Sequence, residues 1–137
     1  MLPTDCLFCK IVSGKIPCYK VYEDATVFAF LDIHPIHIGH TLVIPKKHYS
    51  SLADFEESDL HDTILAVKRV AAAVRSGTKA TGINIGMNND KAAGQLVLHA
   101  HFHVIPRFDG DGLKHWPGKE ADESTLKKTA AAIVKAL

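Results

Sequence analysis

Three histidines stand at alternate positions late in the sequence: His99, His101 and His103. Imidazole changes charge near neutral pH, and a neutral ring with one nitrogen held by a hydrogen bond can attack phosphorus through the other. A lone histidine on an apolar strand is usually half-buried surface, but three in register favour a site. The row therefore indicates covalent catalysis at phosphorus.

The spacing of these histidines bears on a metal alternative. Neighbours in the row lie about 7 Å apart and the outer pair about 13 Å apart at the rise of a strand. Two of the rings could hold an ion, but one ion bound by all three in an unbent strand would be strained. A metallohydrolase stays open and is disfavoured, because no carboxylate partner lies nearby.

The cysteines form a second chemical pattern. They are odd in number, at Cys6, Cys9 and Cys18, and the start of the chain lacks the profile of a signal peptide, so a disulfide framework is not expected. Cys6 and Cys9 have the two-residue spacing of a zinc hook, although no second such pair exists. The alternative is a pair of reduced, packed thiols.

Composition limits the class of protein. The 137 residues are 47% hydrophobic and 23% charged, which predicts one ordinary core. A formal net charge of +1 argues against a nucleic-acid or membrane-surface partner. No apolar run is long enough to span a membrane. We expect a cytoplasmic protein, also nuclear if the source is eukaryotic.

Hydrophobic patterning predicts the elements that must position these residues. The predicted helices are Leu7 to Gly14, about Phe55 to Lys79, and Ser124 to Leu137, and the predicted strands are Tyr19 to Tyr22, Val27 to Leu31, Thr41 to Ile44, Gly82 to Met87 and Val97 to Ile105. Strands grouped around one long helix, without βαβ alternation, predict an α+β fold with a largely antiparallel sheet.

Three details of this pattern can be tested. The last strand should bury Leu98, Ala100, Phe102 and Val104 and stop at Pro106, with the histidines on its other face. The long helix should bury Leu60, Ile64, Val67, Ala71 and Val74. Asp54 or Ser58 should cap its start, and Gly77 lies near its end.

Beyond the triad, several blocks match one family in order and spacing. They are Cys6 to Pro17, Phe30 to Ile33, Gly39 to His48, Gly94-Gln95 and His115 to Gly118. With these blocks the chain resembles the HINT branch of the histidine triad (HIT) superfamily. We expect residues 1–137 to form a single HIT domain, with 119–137 a C-terminal helical extension outside the resemblance.

The resemblance implies a function and an assembly. It implies a homodimer whose two sheets join, and a hydrolase that converts purine nucleoside phosphoramidates, such as adenosine 5′-phosphoramidate, to the monophosphate. His101 would be the nucleophile that carries the nucleotidyl group, and His103 would contact the phosphate. His99 completes the triad, and His40 would be a fourth, more buried histidine that supports it.

The resemblance also implies a nucleotide pocket. Asn88 and Gln95 would contact phosphate, Asp32 the ribose hydroxyls, and Trp116 the active site of the partner subunit. The base pocket would be formed by apolar residues, namely Leu7, Phe8, Ile11, Phe30 and Ile33. Each has a structural alternative: Asp32 and Asn88 suit turns, and the apolar residues suit any core. Leu96 departs from the animal proteins, which place a small hydroxyl residue there.

For the cysteines, the resemblance implies one structural zinc ion held by Cys6, Cys9, His48 and His99. No redox or organic cofactor is expected. If zinc binds His99, that imidazole cannot donate a proton, so another group or water would have to protonate the leaving group.

Two further readings stay open. A dinucleoside polyphosphate hydrolase, as in the Fhit branch of the superfamily, is disfavoured by the segment His115 to Gly118. A nucleotide-binding interaction protein with incidental hydrolysis is the other. Turnover of an adenosine phosphoramidate in the presence of a chelator would separate these readings.

Overall fold

A computed structural model describes residues 5–137. Its α-helices are α1 (Leu7–Val12), α2 (Glu57–Thr78) and α3 (Glu123–Ala136), and its strands are β1 (Lys20–Glu23), β2 (Val27–Leu31), β3 (Thr41–Pro45), β4 (Gly82–Gly86) and β5 (Phe102–Arg107). Every paired strand is antiparallel, in the order β1-β2-β3-β5-β4. The α+β prediction is confirmed.

The sheet is a central layer with a different helix on each face. The valines of α2 pack with Val43 and Val104 on one face. On the other, Phe8 and Ile11 of α1 pack with side chains of β2 and β3, including Phe30 and Leu42. Strand β3 is buried along its whole length because both faces are covered.

The buried face of α2 differs from the predicted one. Ile64 is exposed, while Val67 and Val74 are buried as predicted. The remaining buried positions are short side chains, namely Thr63, Ala66 and Val70. Thr63 satisfies its hydroxyl by donating to the Asp59 carbonyl at 2.7 Å, so a polar residue costs little there. The helix therefore approaches the sheet along its small residues.

The predicted N-cap of α2 is also wrong. Glu56 is the N-cap and makes no side-chain cap bond, because Asp54 instead accepts from the Ser51 N–H and closes the preceding 3₁₀ turn. The helix ends at Thr78, so Gly77 lies near its end as predicted, and the C-cap Lys79 adopts the left-handed region at φ 59°. Its N–H and that of the next residue bond the last helical carbonyls, which offsets the strain.

The strand that carries the triad starts later than predicted. Pairing in β5 begins at Phe102, so Leu98 to His101 lie outside the strand and Leu98 is exposed. This preceding segment is held instead by the Ala100 N–H, which donates to the Tyr49 carbonyl at 2.6 Å. Pro106 does not stop β5. The pairing with β3 ends at Val104, so Pro106 has only β4 beside it, and its missing N–H costs no hydrogen bond to β3.

Helix α3 forms as predicted, capped by Asp122, whose side chain accepts from the Thr125 N–H. None of its residues is buried. Within residues 5–137, no helix has the length and apolar character that crossing a membrane requires.

Candidate active site

The four histidines of the predicted site meet on the α1 side of the sheet. His103 lies in β5 opposite Leu42 of β3, so both side chains emerge on the face that α1 covers. His40 immediately precedes β3, and its ring Nε2 lies 2.9 Å from Nδ1 of His103. His101 lies beside His103, with 4.9 Å between ring centroids.

His101 has one ring nitrogen committed and one free. Its Nδ1 lies 2.7 Å from the His99 carbonyl oxygen, which can only accept, so Nδ1 carries the hydrogen. Burial lowers the pKa of His101. The neutral ring therefore holds its lone pair on Nε2, which no residue within 5–137 binds. A neutral imidazole held in this tautomer is a competent nucleophile.

One carboxylate oxygen of Asp32 stabilises a turn, and the other makes no hydrogen bond within residues 5–137. One carboxylate oxygen accepts the His34 N–H at 2.8 Å, which is the structural alternative raised from the sequence. The other lies 3.8 Å from Nδ1 of His40, too far for a hydrogen bond, and the side chain is 22% exposed. The second oxygen is thus free to accept from a ligand.

The predicted base pocket divides into buried and exposed members. Phe8, Ile11 and Phe30 are buried in the cluster under α1, and the rings of Phe8 and Phe30 meet edge to face at 5.4 Å. Phe8 also places its ring edge-on to His101 at 5.2 Å. Leu7 and Ile33 are exposed. Only these two offer free apolar surface to a base.

The two amide side chains predicted to contact phosphate, Gln95 and Asn88, differ in their surroundings. Both amide hydrogens of buried Gln95 are used, by the carbonyls of Ser50 at 2.6 Å and Val97 at 3.1 Å. Its Oε1 accepts the Asp90 N–H at 2.8 Å. In this conformation Gln95 therefore has no N–H for phosphate and positions the loop instead. Asn88 is half-buried and lines a cavity of about 530 Å³ together with His103.

Trp116, which was predicted to reach the active site of the partner subunit, lines the same cavity. Trp116 is 89% exposed and shares the cavity with His103 and Asn88 of its own chain. Leu96, the departure noted in the sequence, is also almost fully exposed. Both side chains are accessible to a ligand or to a second subunit.

The four predicted metal ligands converge. The Sγ atoms of Cys6 and Cys9 and one ring nitrogen each of His48 and His99 lie within 4.8 Å of one another. Cys6 caps α1, His48 follows β3 and His99 precedes β5, so the cluster joins three separate parts of the fold. The distances from Sγ to Nδ1 are 3.5 Å for Cys6 and His99, 3.4 Å for Cys9 and His48, and 3.5 Å for Cys9 and His99.

These residues fit a zinc ion. In a tetrahedral site with ordinary zinc–sulfur and zinc–nitrogen distances, sulfur and nitrogen ligands are about 3.6 Å apart, close to the contacts observed. Nε2 of His99 lies 2.8 Å from the Pro45 carbonyl and must carry the hydrogen, which leaves the Nδ1 lone pair facing the thiols. Burial raises the pKa of the Cys9 thiol to about 12, so a cation is needed to hold it as thiolate.

Sequence reasoning missed the backbone groups that set these tautomers. The carbonyls of His99 and Pro45 fix His101 and His99, and the Ile36 N–H contacts His40. A backbone group carries no residue-type signal, so only the fold could reveal these contacts.

An antiparallel sheet that presents a His-x-His-x-His segment beside a fourth buried histidine defines a histidine triad protein. The family profile described as HIT domain matches residues 13–110. The chain belongs to the HIT family.

Curated relatives include two with named activities. The chain is 40% identical over 129 residues to "Adenosine 5'-monophosphoramidase HNT1" of Saccharomyces cerevisiae, covering 93% of this chain and 79% of the relative. It is 38% identical over 135 residues to "Adenylylsulfatase HINT3" of Arabidopsis thaliana, covering 97% of this chain and 68% of the relative. Both names denote hydrolases.

Solved structures share the fold. A HIT family protein from Bacillus subtilis is 40% identical with a TM-score of 0.89, covering 97% of both chains. A zinc-bound histidine triad family protein from Mycobacterium smegmatis is also 40% identical, with a TM-score of 0.77, covering 97% of this chain and 98% of that one.

Proposed function

We propose that this protein is a purine nucleoside phosphoramidase, which hydrolyses the P–N bond of adenosine 5′-phosphoramidates through a nucleotidyl-His101 intermediate. The observation that carries the proposal is the bond from Nδ1 of His101 to the His99 carbonyl, which leaves Nε2 as a nucleophile. The name of the yeast relative supports the reaction.

The reaction consists of two displacements. Nε2 of His101 forms a bond to the α-phosphorus while the P–N bond breaks, and the leaving nitrogen takes a proton from a water molecule, because an amide anion is a very poor leaving group. Water then forms a P–O bond, the bond to Nε2 breaks, and one proton is released with AMP. His103 and Asn88 would donate to the nonbridging oxygens, where developing charge is best stabilised.

Nucleotide binding would use the accessible groups of the site. The free oxygen of Asp32 would accept from a ribose hydroxyl, and Leu7 and Ile33 would contact the base. The buried side chains of Phe8, Ile11 and Phe30 would support this surface from below.

We further propose that the protein is a homodimer whose sheets join. Strands β1 and β4 are the two edges of the sheet, and each has a row of backbone groups available for pairing. In the dimer, Trp116 would approach the active site of the partner subunit. Sedimentation velocity tests the oligomeric state.

Zinc would serve as a structural cofactor held by Cys6, Cys9, His48 and His99, and the zinc-bound mycobacterial neighbour supports this assignment. A bound zinc ion stabilises thiolates and links distant segments. Here these four residues would tie α1 to the segment that carries His101. We expect the protein to act in the cytoplasm, without a nucleic-acid or membrane partner.

One observation favours a second substrate, adenylyl sulfate. Burial lowers the pKa of His103 to about 4 and also lowers that of His40, so both rings are neutral at neutral pH and neither carries an extra proton for a leaving group. Sulfate leaves phosphorus as an anion and needs no proton. The Arabidopsis relative is named for this activity.

The experiment is to mix protein purified without chelator with adenosine 5′-phosphoramidate, quench with base, and measure product and protein mass. We expect AMP in solution and an adenylyl group on a peptide that contains His101. A matched reaction with adenylyl sulfate compares kcat/KM. Turnover without any covalent adduct in rapid-quench samples would contradict the mechanism.

A further inference from the structure

Three groups beside β3 lie in one line of hydrogen bonds: the Ile36 backbone N–H, the ring of His40 and the ring of His103. The Ile36 nitrogen lies 3.1 Å from Nδ1 of His40, and Nε2 of His40 lies 2.9 Å from Nδ1 of His103. His40 is almost completely buried. The chain of contacts starts at a group that can only donate.

Each ring in this line carries a single nitrogen-bound hydrogen. Burial lowers the pKa of both rings below the usual value, that of His103 to about 4, so both are neutral near pH 7. The Ile36 N–H requires a lone pair on Nδ1 of His40, which puts the His40 hydrogen on Nε2. That hydrogen requires a lone pair on Nδ1 of His103, which puts the His103 hydrogen on Nε2.

The groups that face His40 agree with this order. The nearer Asp32 oxygen is 3.8 Å from Nδ1 of His40, beyond hydrogen-bond distance, and the other is occupied by the His34 N–H. Asp32, His40 and His103 are close enough to hold a metal ion. However, Nδ1 of His40 already accepts from Ile36, and its Nε2 shares a hydrogen with His103. The contacts therefore fit a hydrogen-bond chain.

We propose that the Ile36 backbone amide, acting through His40, positions the hydrogen of His103 on Nε2, so that this ring always presents a donor to the substrate phosphate. Nε2 of His103 has no partner within residues 5–137, and its ring lines the cavity that holds Asn88. Ile36 and His40 are positioning residues. The effect on turnover rests on the proposed function, whereas the tautomer does not.

The opposite order of hydrogens, with both on Nδ1, would be energetically unfavourable and would remove the donor to the phosphate. With hydrogens on Nδ1 of both rings, His40 would point an N–H at the Ile36 N–H, and His103 would turn a lone pair toward the phosphate oxygens. A buried donor facing another donor loses its hydrogen bond, which is unfavourable. The fixed order thus places a donor where negative charge develops.

The first test needs no mutation. Nitrogen-15 histidine spectra of the full-length protein near pH 7 report which ring nitrogen carries hydrogen. We expect the Nε2–H tautomer for both His40 and His103, and the Nδ1–H tautomer for His101. An Nδ1–H tautomer at His103 would overturn the inference, whether or not the protein hydrolyses any nucleotide.

Variants test the direction of control. Ile36→Pro removes the N–H, and Ile36→Ala keeps it. We expect the tautomer ratio at His103 to move about tenfold toward Nδ1–H in the proline variant, with a fall in kcat, and to stay unchanged in the alanine variant. An unchanged ratio in folded Ile36→Pro would contradict the role of the amide.

A second pair of variants serves if the proline variant does not fold. His40→Gln keeps an N–H beside His103, whereas His40→Leu removes it. We expect the His103 tautomer to be preserved by glutamine and to become a mixture with leucine. Equal His103 spectra in these two variants would overturn the inference. Higher kcat in His40→Gln than in His40→Leu would extend the result to turnover.

Discussion

The two ends of the histidine triad are built on different chemistry. At one end, His99 turns its lone pair toward two thiols and His48, and at the other, His103 meets His40 in a hydrogen-bond chain. Both ends bury neutral imidazoles, but one gathers metal donors and the other orders hydrogens. Equal spacing in the sequence therefore does not imply equal roles.

The difference arises where the strand begins. Because β5 starts at Phe102, only His103 takes its direction from the sheet, and His99 and His101 are directed by carbonyl groups. The cysteine end holds separate segments together, and the His40 end shapes the site. We expect changes at the first end to affect stability most and changes at the second to affect binding and rate.

The largest effect is expected from a substitution of His101, which lies between His99 and His103 in the triad. His101→Ala should lower turnover of adenosine 5′-phosphoramidate by several orders of magnitude while AMP still binds, because the nucleophile is lost and the pocket stays. Steady-state kinetics and calorimetric AMP titration measure both. His61→Ala, at an exposed position, is the control. Near-normal turnover in His101→Ala would contradict the covalent mechanism. It would also undermine the contrast drawn between the two ends of the triad.

At the cysteine end, Cys9→Ala should lower the free energy of unfolding by about 3 kcal/mol or more and lower kcat much less, because a metal link between segments is lost. Denaturant unfolding and single-turnover rates measure these effects. Cys18→Ala is the control, since Cys18 lies outside the cluster. Metal analysis should find one zinc ion per chain, and cobalt-substituted protein should show thiolate charge-transfer bands. Absence of both in active, reduced protein would leave only packed thiols at this end.

At the other end, Asp32→Ala should weaken AMP binding by about 1.5–3 kcal/mol, the range for a hydrogen bond to a charged group. The 2′-deoxy nucleotide should lose less. Calorimetry with both nucleotides on the parent, Asp32→Ala and Asp32→Asn separates ribose binding from the turn that Asp32 closes. Equal losses for ribo and deoxy ligands would assign Asp32 to structure alone.

The smallest expected effect is a pH dependence of stability at the His40 end. The folded pKa of His103, about 4, lies below its unfolded value, so unfolded chains bind more protons as pH falls from about 6.5 toward 4. This stability is full above pH 6.5. We expect His103 to account for about 1–2 kcal/mol of the stability lost between pH 7 and 5, so that His103→Gln loses less than the parent over this range. Urea unfolding across this range measures it, and identical slopes for parent and variant would contradict the assignment.

Local patterning predicted most helices and strands because the hydrophobic period and residue types of each segment are visible in the sequence itself. A short run of β-branched and aromatic residues predicted β2, and the long amphipathic period predicted α2. The buried face of α2 was mispredicted at Ile64, because the distance to the sheet, set by Thr63, Ala66 and Val70, depends on packing between elements. The early start predicted for the last strand failed at Leu98 for a related reason. Strand pairing there is replaced by a single bond to Tyr49.

The sequence by itself determined the family, the α+β class and the set of residues that could do the chemistry, because the triad, the Cys6-x-x-Cys9 hook and the flanking blocks are patterns of residue type. Tertiary structure alone decided which ring nitrogen of these histidines carries the hydrogen. Carbonyls of His99 and Pro45, and the amide of Ile36, select which nitrogen of each ring carries hydrogen. Such groups are chemically alike at every position, so only folding decides which of them meets a given ring.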